Sequence, residues 1–198
     1  MSEEKDSPGS AVCNLIINGV FAYFFYKYAL NNPDEGSCFA KGGNETAYAE
    51  IPMITSGSGE DVTETPAEGF INVSMKFQTW FLYGFILNCI GMGQSVLQFM
   101  ASTFESKTMD GMSKLIGAIQ GLGALVWLIA GAIFRWGFVG KVCSGDFVSD
   151  GDIHKIPYAA ATGQFMKYYL MVVLGIIGTG ICCGLIVGVS IGATAARS

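Results

Sequence analysis

Four stretches of the chain reach the roughly 20 apolar residues needed to cross a bilayer core, and nothing else in the sequence constrains the fold as much. They run over about 11–30, 77–100, 115–139 and 165–193. Unbroken apolar segments of this length are helices, because hydrocarbon offers the backbone no outside hydrogen-bond partner. The opening MSEEKDSPGS is polar and acidic and lacks the positive n-region of a secretory signal, so the first stretch is expected to stay as a span. Composition agrees: 14% of residues are charged, against about 25% in a soluble domain. The expected fold is all-α. It is an integral membrane antiparallel four-helix bundle, one transmembrane domain over residues 1–198, with two outer loops at 31–76 and 140–164.

The aromatic residues give an independent check, since Trp and Tyr favour membrane–water interfaces. The first span ends in Tyr23, Phe24, Phe25, Tyr26 and Tyr28, and the second begins with Phe77, Trp80, Phe81 and Tyr83. The third ends in Phe134, Trp136 and Phe138, and the fourth begins with Phe165, Tyr168 and Tyr169. Four antiparallel spans bring these ends to one face of the membrane; three or five would scatter them. The alternative is that the rings merely pack the core.

Two signals conflict over which side that face occupies. The two loops at the aromatic end hold Cys38, Cys143 and the sequons at Asn44 and Asn72. Disulfides and N-glycans belong to the extracellular or lumenal side. Lysine counting points the other way, with Lys27, Lys41, Lys76, Arg135, Lys141, Lys155 and Lys167 on the loop side against Lys5, Lys107, Lys114 and Arg197. Lys27 and Arg135 lie within the aromatic belt, where such side chains snorkel. The sequence is therefore read with cytosolic termini, in the plasma membrane or a secretory-pathway vesicle.

Of six cysteines, only Cys38 and Cys143 lie in loops. A disulfide between them is expected, with two free thiols as the alternative. Cys13, Cys89, Cys182 and Cys183 fall in spans, where a thiol is usually a small apolar group; palmitoylation of Cys13 is a lesser possibility. A single histidine, His154, and no loop Cys-x-x-Cys argue against a metal site. Asp146, Asp150 and Asp152 lack calcium-loop spacing and are read as a solvated acidic loop.

The fourth span carries Gly180, Gly184, Gly188 and Gly192, one every fourth residue, and the third carries Gly117 and Gly121. On a helix such spacing makes a groove that admits a close neighbour. Packing within the chain is the first reading, a homo-oligomer interface the second. Asn14, Asn18, Asn88, Gln94, Gln98 and Gln120 also lie within spans and need partners in hydrocarbon, so they are expected to face inward. Interhelical hydrogen bonding accounts for them most simply; a hydrated path is the functional alternative. Arg135, near the outer end of the third span, has Asp146 as a candidate partner.

No phosphate loop, metal-binding histidine pair or nucleophile elbow occurs, so no catalytic residue, metal or cofactor is expected. The net charge of −5 and the lack of a basic block exclude nucleic acid. Four spans, short tails and two outer loops resemble tetraspan membrane proteins, most nearly the MARVEL-type proteins of vesicles and junctions. The resemblance covers topology alone. Cys182-Cys183-Gly184 falls inside a span, unlike the loop motif of tetraspanins, and the first loop has neither the Trp nor the cysteine pair of claudins. It implies a non-enzymatic membrane organiser or an accessory subunit of a larger membrane complex, with the outer loops as recognition surface and the lipid bilayer and a homo-oligomer or complex as partners. An oligomeric channel or transporter lined by intramembrane Asn and Gln is the rival.

Overall fold

The computed structural model describes residues 8–30, 37–48, 50–56, 63–147 and 160–195, without the side chains of 30, 54–56, 63–66, 160–161 and 180–195. The chain is mostly helical, with long antiparallel helices packed side by side. Helix α1 covers Pro8–Leu30, α2 Val73–Phe104, α3 Lys107–Trp136, the short α4 Phe138–Cys143, and α5 Ala160–Ala195. Helices α1, α2 and α3 are each long and apolar enough to cross a membrane. At 1.5 Å per residue, α2 is about 48 Å long, more than the roughly 30 Å hydrocarbon core requires.

The helices outlast the apolar runs because their ends are well capped. The polar link between the second and third apolar stretches is almost wholly helical, with only Glu105 and Ser106 forming the turn. Glu105 adopts the left-handed conformation (φ 52°), and its N–H returns to Ala101 O to close α2. Ser106 then caps α3 through Met109 N. The third apolar stretch instead breaks early. Gly137 is extended, so Phe138 and Val139 belong to α4, which folds back over the end of α3. That reversal requires Gly140, where a side chain would run into Phe134 O.

The segment between α1 and α2 departs from an all-α chain. It holds a three-stranded antiparallel sheet in the order β2–β1–β5 and a separate hairpin, β3–β4. Strand β1 is Phe39–Lys41, β2 Ala47–Tyr48, β3 Met53–Ser56, β4 Thr63–Pro66 and β5 Phe70–Asn72. Strand β1 pairs Phe39 with Asn72 and Lys41 with Phe70. Strand β5 runs straight into α2, where Asn72 becomes the N-cap and accepts from Met75 N at 2.9 Å.

The core sits at the loop-side end of the bundle. Phe25 of α1, Phe77, Trp80 and Phe81 of α2, Trp127 of α3, and Met166 and Leu170 of α5 are all buried there. Beyond Leu170, α5 leaves its neighbours. Every residue from Met171 to Thr179 is exposed except the half-buried Val173.

Candidate functional site

The loop-side end is held by two clasps. The first is covalent: Cys38, at the foot of β1, is bonded to Cys143 at the end of α4, 105 residues away, with Cα atoms 6.0 Å apart. Its surroundings are fixed as well, since Cys38 N–H donates to Ser74 Oγ at 2.9 Å and Cys38 O accepts from Val73 N at 2.9 Å. The bridge thus ties the segment between α1 and α2, the start of α2 and α4 into one unit.

The second clasp is ionic. Arg135, 0% exposed, gives both terminal nitrogens to the Asp146 carboxylate at 2.8 Å each, a bidentate pair, and its Nε donates to Gly163 O at 2.8 Å. One guanidinium thereby joins α3, the turn after α4 and the first turns of α5. Gly163 must be glycine, because a side chain there would meet Ser144 Oγ. Lys167 Nζ stands 3.9 Å from Asp146. Burial raises the Asp146 pKa, but the hydrogen bond and charge of Arg135, with the charges of Lys167 and Lys141, outweigh it and hold the carboxyl below its ordinary 3.8.

Beneath the clasps lies an arrangement that hydropathy did not reveal. Trp80 and Trp127 stack with centroids 4.3 Å apart and planes 9° from parallel. Trp80 Nε1 donates to Trp127 O and Trp127 Nε1 donates to Trp80 O, both at 2.8 Å. Each ring lies over a glycine of the other helix: a methyl on Gly131 would stand 2.5 Å from Trp80 Nε1, and one on Gly84 2.6 Å from Trp127 Cζ2. The same antiparallel register continues inward. Gly91 faces Gln120, 2.5 Å from such a methyl, and Gly117 faces Gln94. A large residue therefore meets a glycine four times along the α2–α3 seam, and the backbones approach closely without losing contact area. The signal was present as Trp-x-x-x-Gly in both helices, WFLYG at 80–84 and WLIAG at 127–131.

Phe25 packs edge-on against both tryptophans, at 5.8 and 5.3 Å, and against Tyr169 at 5.2 Å. The aromatic end thus divides into two sets. Phe25, Phe77, Trp80 and Phe81 fill the core, whereas Tyr23, Tyr26, Tyr83, Trp136 and Tyr168 are exposed. Core packing explains the first set and leaves the second for the interface.

Three of the six amides in the spans donate to backbone. Asn18 Nδ2 donates to Asn14 O at 2.8 Å, Asn88 Nδ2 to Gly84 O at 2.7 Å, and Gln120 Nε2 crosses from α3 to Leu87 O of α2 at 3.2 Å. Asn18 Oδ1 would lie 2.7 Å from a methyl on Gly91, so α1 meets α2 at the same glycine as Gln120. Asn14 is exposed, while Gln94 and Gln98 are half-buried. Gly117 serves the α2–α3 seam, and Gly121 opens on free space. Gly180, Gly184, Gly188 and Gly192 lie on α5 where side-chain surroundings fall outside the described residues, as do Asp150, Asp152 and His154 altogether. Among the described residues, no three His, Cys, Asp or Glu gather to hold a metal.

No family model, curated protein or solved structure matches this chain. No match thus supports the expected likeness to MARVEL-type proteins.

Proposed function

We propose that the chain is a non-enzymatic four-span membrane protein, with α5 as the fourth crossing, that organises membrane or accompanies a larger membrane complex. The clasped loop-side end carries this reading. Cys38–Cys143 and Arg135–Asp146 fix the bases of both outer loops on a packed aromatic floor. A rigid floor presents the three-stranded sheet in one orientation, which is what a recognition surface needs, because preorganisation lowers the entropy lost on binding.

On this reading the loops face outward and the termini lie in the cytosol, in the plasma membrane or a secretory-pathway vesicle. The disulfide supports that side, since such bonds persist in oxidising compartments. Two of the charges on the same side are accommodated locally: Arg135 pairs with Asp146, and Lys76 lies over the Phe134 ring at 5.7 Å. The backbone bonds of Asn18, Asn88 and Gln120 favour the structural role of the span amides over a conducting one.

Native purification from the source membrane, with mass spectrometry of co-purifying proteins, tests the proposal. A stoichiometric membrane partner whose association is lost on reduction of Cys38–Cys143 is expected. Ion conductance of the purified protein in planar bilayers, abolished by Asn88→Leu, would establish the oligomeric channel instead.

A further inference from the structure

The two sequons share one outer loop, yet the structure treats them differently. Asn44 lies in the turn between β1 and β2, next to Gly43 with its φ of 82°. Its Oδ1 accepts from Thr46 N at 3.0 Å, an Asx turn that folds the third sequon residue back towards the first. Its Nδ2 makes a long 3.4 Å contact with the Tyr48 hydroxyl. Gly42, Gly43, Glu45 and Thr46 around it are exposed. A side-chain amide carries two protons, so attachment of a sugar leaves one for Tyr48.

Asn72 is built into the scaffold. It pairs with Phe39 in the sheet and caps α2 by accepting from Met75 N. Val73, the middle sequon residue, is 1% exposed, and its N–H donates to Cys38 O. The Ser74 hydroxyl, which an acceptor sequon must present, takes the Cys38 N–H at 2.9 Å. All three residues are thus held at the junction of the disulfide, the sheet and the first turn of a helix entering the membrane.

We infer that Asn44 is the N-glycosylation site of this protein and that Asn72 stays unmodified as the cap of α2. The inference rests on the outward orientation of the loops proposed above. In the transfer, Asn44 Nδ2 bonds to the anomeric carbon of a lipid-pyrophosphate-linked oligosaccharide. The bond from that carbon to the pyrophosphate oxygen breaks, the lipid pyrophosphate leaves with the electron pair, and one amide proton passes to a base of the host transferase. The first sugar then stands beside Tyr48, whose ring packs edge-on against Phe70 at 5.3 Å and offers it an apolar floor.

The test expresses the full chain in eukaryotic secretory cells with a sequon reporter at the C-terminus, and reads gel mobility before and after treatment with an N-glycan amidase. The expected result is a shift of one glycan in the wild type, kept in Ser74→Ala, which preserves the cap, and lost in both Asn44→Gln and Thr46→Ala, with the reporter unmodified. Two glycans on the wild type, or a shift that survives Asn44→Gln, would overturn the assignment. So would a bare protein with an unmodified reporter, a result that leaves the orientation standing. A bare Asn44 with a glycosylated reporter overturns the orientation itself, and the inference with it.

Discussion

The loop-side half of the bundle and the opposite half are built on different principles. Near the loops, α1, α2, α3 and α5 close around Phe25, Trp80, Phe81, Trp127 and Leu170, sealed above by a disulfide and by the ion pair of the buried Arg135 with Asp146. Towards the other side, α2 keeps close contacts with α3, through Gly91, Gln120, Gly117 and Gln94, and with α1, where Asn18 meets Gly91 and Ala11 is buried. It is α5 that departs there: it is exposed from Met171 to Val172 and from Leu174 to Thr179. The difference teaches where a membrane bundle obtains its definition. Lipid is as apolar as leucine, so burial alone does not draw helices together. Close glycine contacts, directed hydrogen bonds and covalent links do, and in this chain the covalent and ionic links lie at the loop side.

Substitutions sharpen the contrast. The largest effect is expected from opening the disulfide by Cys38→Ser with Cys143→Ser. The chain-entropy model gives about 4.7 kcal/mol for a loop of roughly 100 residues, close to the 105 enclosed here, and thermal unfolding in detergent measures it. Asp146→Ala comes next, because it strands a buried guanidinium, at a cost of about 3–5 kcal/mol. Adding Arg135→Met should recover much of that loss, which separates an unpaired charge from lost packing. Gly131→Ala drives a methyl into the Trp80 ring edge and should cost about 1–3 kcal/mol, as overpacking does. It should also change the tryptophan fluorescence, since the stacked pair must part.

Acid should weaken the ionic clasp with a definite sign. The Asp146 pKa is lower in the folded chain than in the unfolded one, so within that window the unfolded chain binds more protons and stability rises with pH. The contribution is complete above the ordinary carboxyl value of 3.8 and is lost as pH falls from there through the depressed folded value. Asp146→Asn should remove this dependence while leaving other acid transitions in place. The smallest effect falls in the other half: Leu122→Ala, on a side chain 70% exposed, should change stability by no more than about 0.5 kcal/mol.

The three helices that qualify as membrane spans were legible because apolar runs of that length leave the backbone no alternative. The Cys38–Cys143 bridge was legible by elimination, as the two loop cysteines. Helix ends were less so. The polar letters of ASTFESKTMDGMSK suggested a loop, but outside hydrocarbon a helix needs only caps and local pairs, and Ser106 and the Asp110–Lys114 ion pair at 2.7 Å supply them. The loop-side sheet escaped notice because strands of two to four residues are too short to show alternation. The Trp–Gly register escaped for another reason. Each motif is unremarkable on one helix, and only their antiparallel juxtaposition makes Trp80 cover Gly131 while Trp127 covers Gly84.

The central claim, that α5 is fixed to the bundle at the loop side and stands away from it on the other, is tested most directly by pulsed electron paramagnetic resonance in lipid nanodiscs. With Cys13, Cys89, Cys182 and Cys183 replaced by Ala and the disulfide kept, one spin-label pair is placed at Tyr26 and Tyr168 and a second at Ile16 and Ile176. All four positions are exposed, and both pairs span α1 and α5. The account predicts a narrow distance distribution for the loop-side pair and a broad one for the other, with the first broadening when Cys38–Cys143 is reduced. Two distributions of equal width, neither responding to reductant, would contradict it.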